Sequence, residues 1–391
     1  MPSFSENTES GCSFGILPEV DPTETVIRVI GVGGGGGNAV NHMVDNNAAN
    51  IEFIAANTDH QALVHSRANV TIQLGSTGLG AGSKPEIGAA AAEEKRQEIT
   101  EALRGTNLLF ITAGMGGGTG TGASPVIADI AKELGILTVA VVTKPFSFEG
   151  GRRMRLAEKG IEALRDKVDS MIVILNEKLE TVCSENATMS ECFAASNDVL
   201  YKACVGIADV IHTPGIINVD FEDVKTVMSI HGTAIIGMAT ASGPDRARVA
   251  AEAAVSCPLL EGSNLQGARG LLAYFTGDES VTLAEIRQAM AILNNFTQKS
   301  AEIIFGSACD KSMGENLRVT LVATGLDEQE EPAAAAPQGM PSFTPQPVSR
   351  PAPAEAAEPA APERAPAERP RIAAVGAKPA FTVPSFLKTG R

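Results

Sequence analysis

Residues 26–38 read VIRVIGVGGGGGN, and residues 108–122 read LLFITAGMGGGTGTG. In both stretches a short apolar run, typical of a buried strand, leads into a dense run of glycines. A glycine-rich turn lets backbone N–H groups approach an anion, because no Cβ stands in the way. A helix that follows adds the positive end of its dipole. Two such runs at the carboxyl ends of two strands predict one crevice that grips a polyphosphate from both sides.

Strand-like and helix-like runs alternate around these two stretches. This alternation predicts an α/β fold with a doubly wound, mostly parallel sheet of the Rossmann-like kind. The predicted strands are 26–30, 53–56, 108–113, 137–142 and 171–175, and the predicted helices include 86–103 and 124–134.

A long core helix is predicted next. Residues 188–191 read TMSE, which has the spacing of a capping box, and apolar residues then recur at helical spacing until HTPG at 212–215 ends the pattern. A second, α+β domain follows. Its predicted strands lie near 270–275 and 317–323, and its predicted helices near 245–256 and 283–296.

The composition changes after residue 325. Of the 22 prolines, 13 lie between Pro332 and Pro384, so this segment cannot bury enough apolar surface to order itself. The last stretch, FTVPSFLK at 381–388, is apolar again and is typical of a docking peptide. We expect six parts: a flexible N-terminal arm (1–24), a nucleotide domain (25–187), the core helix (188–215), the second domain (216–325), a disordered linker rich in Pro, Ala and Glu (326–378) and a terminal peptide (379–391).

The overall charge and composition exclude several classes. The formal net charge of −15 argues against a dedicated nucleic-acid binder, which needs a basic surface. No apolar run approaches the roughly 20 residues that a membrane-spanning helix needs, and the first residues do not form a secretory signal. The six cysteines include no CxxC pair, so we expect reduced thiols and no metal cluster. These features predict a soluble, cytoplasmic protein without direct membrane insertion.

The first glycine run also fits a dinucleotide-binding fingerprint. Gly31, Gly33 and Gly36 have the GxGxxG spacing, and Glu52 follows Gly31 by 21 residues, near the place of a ribose-binding acid. This pattern supports an NAD-dependent oxidoreductase as an alternative. However, Glu52 begins the second strand, whereas a ribose-binding acid belongs at its end. A dinucleotide would also leave the second glycine run without a role.

The second run is not a Walker A loop, because no Lys-Ser or Lys-Thr follows it. Hydroxyl groups of Thr119 and Thr121 and backbone N–H groups are available there. Charge neutralisation then has to come from a metal ion and from the helix dipole.

The second run, followed by Ala123-Ser124-Pro125, resembles the signature of the tubulin and FtsZ superfamily of GTPases. The similarity extends over about residues 25–325 and the terminal peptide, and its motifs are those of the cell-division members. Those motifs are GVGGGGGNAVNHM (31–43), ANTD (56–59), GLGAG (78–82), VVTKPFSFEGGRRM (141–154), NDVL (197–200), NVDFEDVKTVM (218–228) and VPSFL (383–387).

The resemblance implies binding of GTP and GDP, with Mg²⁺ as the phosphate-bridging ion and no assigned metal ligands. It implies that Glu149 and Arg153 contact ribose and phosphate, and that Phe193, Asn197 and Asp198 hold the guanine. Residues alone leave a surface ion pair and a solvated helix face as alternatives. The implied phosphate contacts are Gly34, Gly35, Gly36, Gly37, Asn38, Gly116, Gly117, Gly118, Thr119, Gly120 and Thr121.

Asn218, Asp220 and Asp223 match a loop that, in this superfamily, enters the nucleotide pocket of the next subunit and supports hydrolysis there. Taken alone, these acids are typical of a helix N-terminus, where the dipole favours them. A site that is completed in trans ties GTP hydrolysis to head-to-tail filaments, because open heterologous contacts do not close.

The resemblance further implies a role in the mid-cell division ring. The ring is held to the membrane by adaptors that bind Val383, Pro384, Phe386 and Leu387. A related filament for plasmid partition or cell shape is the alternative that the GTPase core hardly distinguishes.

Overall fold

The computed structural model describes residues 25–48, 50–182, 187–213, 215–256 and 267–326. The N-terminal arm, the linker beyond residue 326 and the terminal peptide expected from the sequence lie outside the described residues.

Strands and helices alternate through the first half of the chain. They are β1 (Ile27–Val32), α1 (Gly33–Asp45), β2 (Glu52–Asn57), α2 (His60–Val64), β3 (Val70–Gln73), α3 (Pro85–Glu94), α4 (Arg96–Leu103), β4 (Leu108–Gly114), α5 (Thr119–Glu133), β5 (Leu137–Lys144), α6 (Gly151–Arg165), β6 (Ser170–Leu175) and α7 (Asn176–Val182).

A long helix then leads into the second half. The elements are α8 (Met189–His212), β7 (Gly215–Ile217), α9 (Phe221–Met228), β8 (Thr233–Ser242), α10 (Arg246–Val255), β9 (Ala268–Gly277), α11 (Leu283–Leu293), β10 (Thr297–Cys309) and β11 (Asn316–Leu326).

Within the described residues, eleven strands form one sheet in the order β3-β2-β1-β4-β5-β6-β8-β11-β9-β10-β7. The first six strands are parallel and have the doubly wound order, in which ligands bind where the strand order reverses. β1 lies between β2 and β4, and Val32 at its end is in register with Ala56 on one side and Ala113 on the other. The predicted fold class is confirmed, and the two glycine runs leave neighbouring strands.

The second half of the sheet is mixed. β11 is antiparallel to both β8 and β9, β10 is parallel to β9, and β7 is an antiparallel partner of β10. The two halves join where β6 pairs with β8, in register at Met171 with Thr233 and at Ile172 with Ala234. The strand patterns in the sequence predict neither β8 nor β10.

Helix α8 begins at the predicted capping box. The hydroxyl of Thr188 accepts a hydrogen bond from the backbone N–H of Glu191 at 3.2 Å, and the Glu191 carboxylate accepts one from the backbone N–H of Thr188 at 2.7 Å. Further along, Leu200 and Ile207 are buried in one cluster with Met43 of α1 and Val227 of α9. The helix therefore shares a core with both halves of the sheet.

Two predicted helices are divided differently in the structure. The 86–103 stretch breaks at Lys95 into α3 and α4, and the break lets both Ile99 and Leu103 of α4 become fully buried. The 283–296 stretch ends its α-helix at Leu293 and continues as a short 3₁₀ turn. None of the described helices is both long and apolar enough to span a bilayer.

Candidate functional site

The first glycine run does not form a separate loop. β1 ends at Val32 and α1 begins at Gly33, whose φ of 71° favours glycine. No side chain caps this helix start, and its first turn carries no acidic residue. The first N–H groups of α1 are thus open donors at the positive end of the helix dipole, which is the ordinary setting for an anion.

The glycines of this run have two separate roles. A Cβ on Gly36 would lie 2.4 Å from the carbonyl oxygen of Thr112, and a Cβ on Gly35 would lie 3.1 Å from the Cα of Gly114. These two glycines therefore let α1 pack against β4. Gly34 and Gly37 face open space instead, so their missing side chains leave room for a ligand.

The second glycine run turns from β4 into α5, which begins at Thr119 with no side-chain cap. A hydrogen bond within the turn stabilises it: the Thr121 hydroxyl accepts from the backbone N–H of Gly116 at 2.9 Å. A Cβ on Gly33 would lie only 2.9 Å from the backbone nitrogen of Gly120. The two glycine runs therefore touch, and both helix starts meet at the end of β1 and β4.

A cavity of about 260 Å³ lies beside the first run. It is bounded by α1, the end of β2 and α2. Its lining comprises Gly31, Gly33, Gly34, Gly37, Asn38, Asn41, Ala55, Ala56, Asn57, Ala62, Leu63, His65 and Ser66.

Glu149 and Arg153 lie beside the second run. They form an ion pair of 2.5 Å, and the other Glu149 oxygen accepts a hydrogen bond from the backbone N–H of Phe146 at 3.0 Å. A Cβ on Gly116 would lie 2.6 Å from the carbonyl oxygen of Arg153. The pair is thus a surface ion pair, as the residues alone allowed, and it borders the glycine run as the resemblance implies.

Phe193 and Asp198 lie near the start of α8. The Phe193 ring is 40% exposed and meets the buried ring of Phe146 edge-on, with 5.3 Å between centroids. One Asp198 oxygen lies 2.6 Å from the Lys202 amine, and the other lies 3.9 Å from Nε2 of His42 on α1. Asn197 precedes Asp198 and is half-buried. These residues therefore stand beside the helix that carries the first glycine run.

The acids of α9 occupy its N-terminus. Asp220 accepts a hydrogen bond from the backbone N–H of Asp223 at 2.8 Å, and Asp223 accepts one from that of Asp220 at 3.2 Å. Asn218 closes the turn before them by accepting a hydrogen bond from the backbone N–H of Gly215 at 2.7 Å. The simple interpretation of these acids as helix caps is thus what the structure shows, and both carboxylates are held at the surface.

These acids follow the end of α8, whereas Phe193 and Asp198 lie near its start. Helix α8 has 24 residues and, at about 1.5 Å per residue, separates its two ends by about 36 Å. Phe193 stands one turn from its start, whereas Asp220 follows its end by eight residues. The structure thus brings the glycine runs, Glu149, Arg153, Phe193 and Asp198 together, and leaves Asn218, Asp220 and Asp223 at the opposite end of α8.

Two residues near the site were not predicted from the sequence. Thr58 follows β2 and is 3% exposed, and its hydroxyl lies 2.7 Å from that of Thr119. His42 lies on α1, and its Nε2 is buried without a hydrogen-bond partner among the described residues. Thr58 belongs to the ANTD motif, which could have marked it as a site residue. Its burial and its hydroxyl partner are visible only in the folded structure.

Glu52 does not fit the ribose-binding role of the dinucleotide alternative. Its carboxylate accepts a hydrogen bond of 2.6 Å from Arg28, which is 3% exposed and also donates to the carbonyl of Arg104 and the hydroxyl of Thr106. Glu52 begins β2, so this pair lies at the amino-terminal ends of the strands, whereas the glycine runs follow the carboxyl ends. The oxidoreductase interpretation is therefore wrong in its key residue.

A parallel sheet whose two central strands each lead into an uncapped, glycine-rich helix start, followed by a long central helix, defines a nucleotide-binding protein of the tubulin-like class. The sequence model "Tubulin/FtsZ family, GTPase domain" matches residues 26–184, and "FtsZ family, C-terminal domain" matches residues 232–327.

Known proteins agree with this class. The chain is 54% identical over 309 residues to a cell division protein FtsZ of Pseudomonas aeruginosa, covering 78% of each chain. It is 51% identical over 324 residues to the one of Coxiella burnetii, covering 82% of this chain and 84% of that relative. A solved FtsZ dimer of M. jannaschii superposes with a TM-score of 0.72 at 40% identity, over 78% of this chain and 89% of that one.

The chain belongs to the FtsZ family. It is a tubulin-like GTPase of cell division, and it binds GTP and GDP. CetZ2 of Haloferax volcanii, at 20% identity and a TM-score of 0.67, shares the fold.

Proposed function

We propose that this GTPase hydrolyses GTP at a site completed between two copies of the chain stacked head to tail. One copy holds the nucleotide with its glycine runs, and the next copy supplies Asn218, Asp220 and Asp223. The observation that carries the proposal is the placement of α8: Phe193 and Asp198 of the nucleotide site lie near its start, whereas these acids follow its end, after a helix about 36 Å long. Contacts of this kind do not close on themselves, so they generate filaments.

Geometry and the family resemblance support the proposed nucleotide half of the site. The open N–H donors of α1 and α5 bind the phosphates, Glu149 and Arg153 contact ribose and phosphate, and Phe193 lies against the base. Asp198 and Asn197 present oxygens that accept from guanine N1–H and its 2-amino group, which adenine does not offer. The phosphate-binding residues are Gly34, Gly35, Gly36, Gly37, Asn38, Gly116, Gly117, Gly118, Thr119, Gly120 and Thr121.

Magnesium is the proposed companion of the triphosphate. Among the described residues no group of three His, Cys, Asp or Glu side chains could hold a metal by itself. A triphosphate itself supplies oxygens for Mg²⁺, because this ion keeps several waters and binds mainly through substrate phosphates. Thr119, half-exposed at the start of α5, would offer such an ion a protein hydroxyl. The ion would neutralise charge on the phosphates during transfer.

The acids of the second copy act on the attacking water. Each carboxylate is held in place by a backbone N–H, and its second oxygen is left available to orient a water molecule. Positioning of this kind is a main source of rate in phosphoryl transfer.

The C-terminal peptide and the cellular role complete the proposal. Val383, Pro384, Phe386 and Leu387 form an apolar peptide beyond a proline-rich linker, which suits docking to adaptors that tether the filament to the membrane. The protein then acts in the cytoplasm at the division site, with the parts 25–187 and 216–325 as nucleotide and activating domains joined by 188–215. Relatives named for cell division favour this role over plasmid partition or cell shape.

GTP turnover measured against protein concentration tests the shared site. With Mg²⁺ present, the rate per molecule should stay near zero below a threshold and rise above it, and pelletable polymer should appear at the same threshold. A rate per molecule that is constant at every concentration would show a self-contained site, and the roles of Asp220 and Asp223 would then have to be withdrawn.

A further inference from the structure

Thr58 occupies a junction between three segments of the nucleotide site. Its carbonyl oxygen accepts hydrogen bonds from the backbone N–H of Gly80 at 3.0 Å and from the Gln73 side-chain amide at 3.2 Å. Its hydroxyl lies 2.7 Å from the hydroxyl of Thr119, the first residue of α5. The end of β2, the GLGAG segment and the second glycine run are thus fixed to one another through this residue.

The direction of the hydroxyl contact follows from burial. Thr58 is 3% exposed, and Thr119 is the partner that the described residues give its hydroxyl. A buried hydroxyl proton needs an acceptor, so Thr58 donates and the Thr119 oxygen accepts. Thr119 is half-exposed at an open helix start. Its own proton is therefore free to point away from Thr58, into the space where the two glycine runs meet.

We propose that Thr58 is a positioning residue of the GTPase site, which fixes the Thr119 hydroxyl so that its proton is donated to a phosphate oxygen of the bound nucleotide. This inference rests on the proposed phosphate contact of Thr119. Because each Thr hydroxyl has one proton, the bond from Thr58 leaves the Thr119 hydroxyl one proton to donate and aims it before the nucleotide arrives. Such preorganisation strengthens binding without any contact between Thr58 and the ligand.

The test is a double-mutant cycle on monomer affinity. Binding of a fluorescent GTP analogue labelled on the ribose is measured below the assembly threshold for Thr58→Val, Thr119→Val and the double variant. Thr58→Val should weaken binding about 5- to 10-fold, the range that one hydrogen bond supports. On the Thr119→Val background the same change should have almost no further effect, since the two residues act through one contact.

Three further variants separate a positioning role from a structural one. Thr58→Ser keeps the hydroxyl and should retain normal affinity. If Thr58→Val fails to fold, Thr58→Ala replaces it, because alanine removes the hydroxyl without putting a methyl group in its place. Thr112→Val is the matched control, because the buried Thr112 hydroxyl has no partner among the described residues; it should leave affinity unchanged.

The possible outcomes distinguish failure of the proposed phosphate contact of Thr119 from failure of the role given to Thr58. If Thr119→Val leaves affinity unchanged, the proposed phosphate contact of Thr119 fails, and the role of Thr58 fails with it. If Thr119→Val weakens binding but Thr58→Val does not, the phosphate contact stands and the inference about Thr58 is overturned. Additive losses in the double variant would show that Thr58 acts on the fold rather than through Thr119.

Discussion

Gly36 and Gly37 are neighbours in one helical turn, yet their environments are opposite. A Cβ at Gly36 would meet backbone atoms of β4, whereas a Cβ at Gly37 would meet nothing within 4 Å. The sequence alone shows five consecutive glycines and cannot separate those needed for packing from those needed for a ligand. That distinction arises only when α1 is placed against β4.

Alanine substitutions at these two positions should therefore have different effects. Gly36→Ala should lower the free energy of unfolding by about 1–3 kcal/mol, since the methyl group overpacks against backbone that cannot move aside. Gly37→Ala should leave stability unchanged or slightly higher and should weaken GTP binding, because the methyl group enters the ligand's space. Urea unfolding and nucleotide titration of both variants measure this. Normal GTP affinity in Gly37→Ala would remove that residue from the phosphate site.

Among the helices and strands, those whose limits depend on nearby residues were predicted well from the sequence. The capping box at Thr188 located the start of α8, and the strands β1 and β4 agree with their apolar runs to within two residues. The break at Lys95 and the strands β8 and β10 depend on contacts with distant residues. β8 reads TAIIGMATAS, whose Gly, Ala and Met residues carry little strand preference of their own, and pairing with β11 supplies the rest.

Helices α10 and α11 are held together by a charged pair whose strength depends on pH. Arg246 donates to Glu285 at 2.7 Å, and both side chains are largely buried. This hydrogen bond lowers the pKa of Glu285 below its ordinary value of 4.5. A lowered folded-state pKa means that the unfolded chain binds the proton more readily. The stabilisation is therefore present above about pH 4.5 and is lost as the pH falls through the folded-state value.

Glu285→Gln should remove this dependence. At neutral pH the variant should lose about 1–3 kcal/mol of unfolding free energy, and between about pH 5 and 3 its stability should fall less steeply than that of the wild type. Denaturant unfolding at a series of pH values gives both quantities. Glu252→Gln is the control, because Glu252 pairs with the exposed Arg248 on the same helix α10 and such pairs contribute little. Equal slopes for Glu285→Gln and wild type would contradict the assignment.

For the complete chain, the residue pattern predicts the crevice between the glycine runs, whereas only the family resemblance predicts the role of Asp220 and Asp223. Two glycine runs after two strands predict one crevice, and the strand order places β1 beside β4 as that prediction requires. Nothing in spacing or composition tells whether Asp220 and Asp223 serve the crevice of their own chain or another. The fold supplies that argument, since α8 lies between them and the glycine runs.

Transfer of catalysis between copies can be observed directly. Asp223→Asn keeps an oxygen that accepts the capping hydrogen bond from Asp220, so α9 should remain intact while the charge is lost. This variant is loaded with GTP labelled in the γ-phosphate, and it is then mixed with excess wild-type protein and excess unlabelled GTP. The unlabelled nucleotide dilutes any label that dissociates, so released labelled phosphate reports hydrolysis on the variant itself.

If the acids act in trans, wild-type neighbours should hydrolyse the label held by Asp223→Asn at a rate close to that of wild-type filaments. Mixing the loaded variant with excess unlabelled Asp223→Asn is the control and should release almost none, since every neighbour then lacks the acid. Equal release from the two mixtures would mean that wild-type neighbours contribute nothing. In that case the acid would serve its own chain, and the proposal of a site completed in trans would be withdrawn.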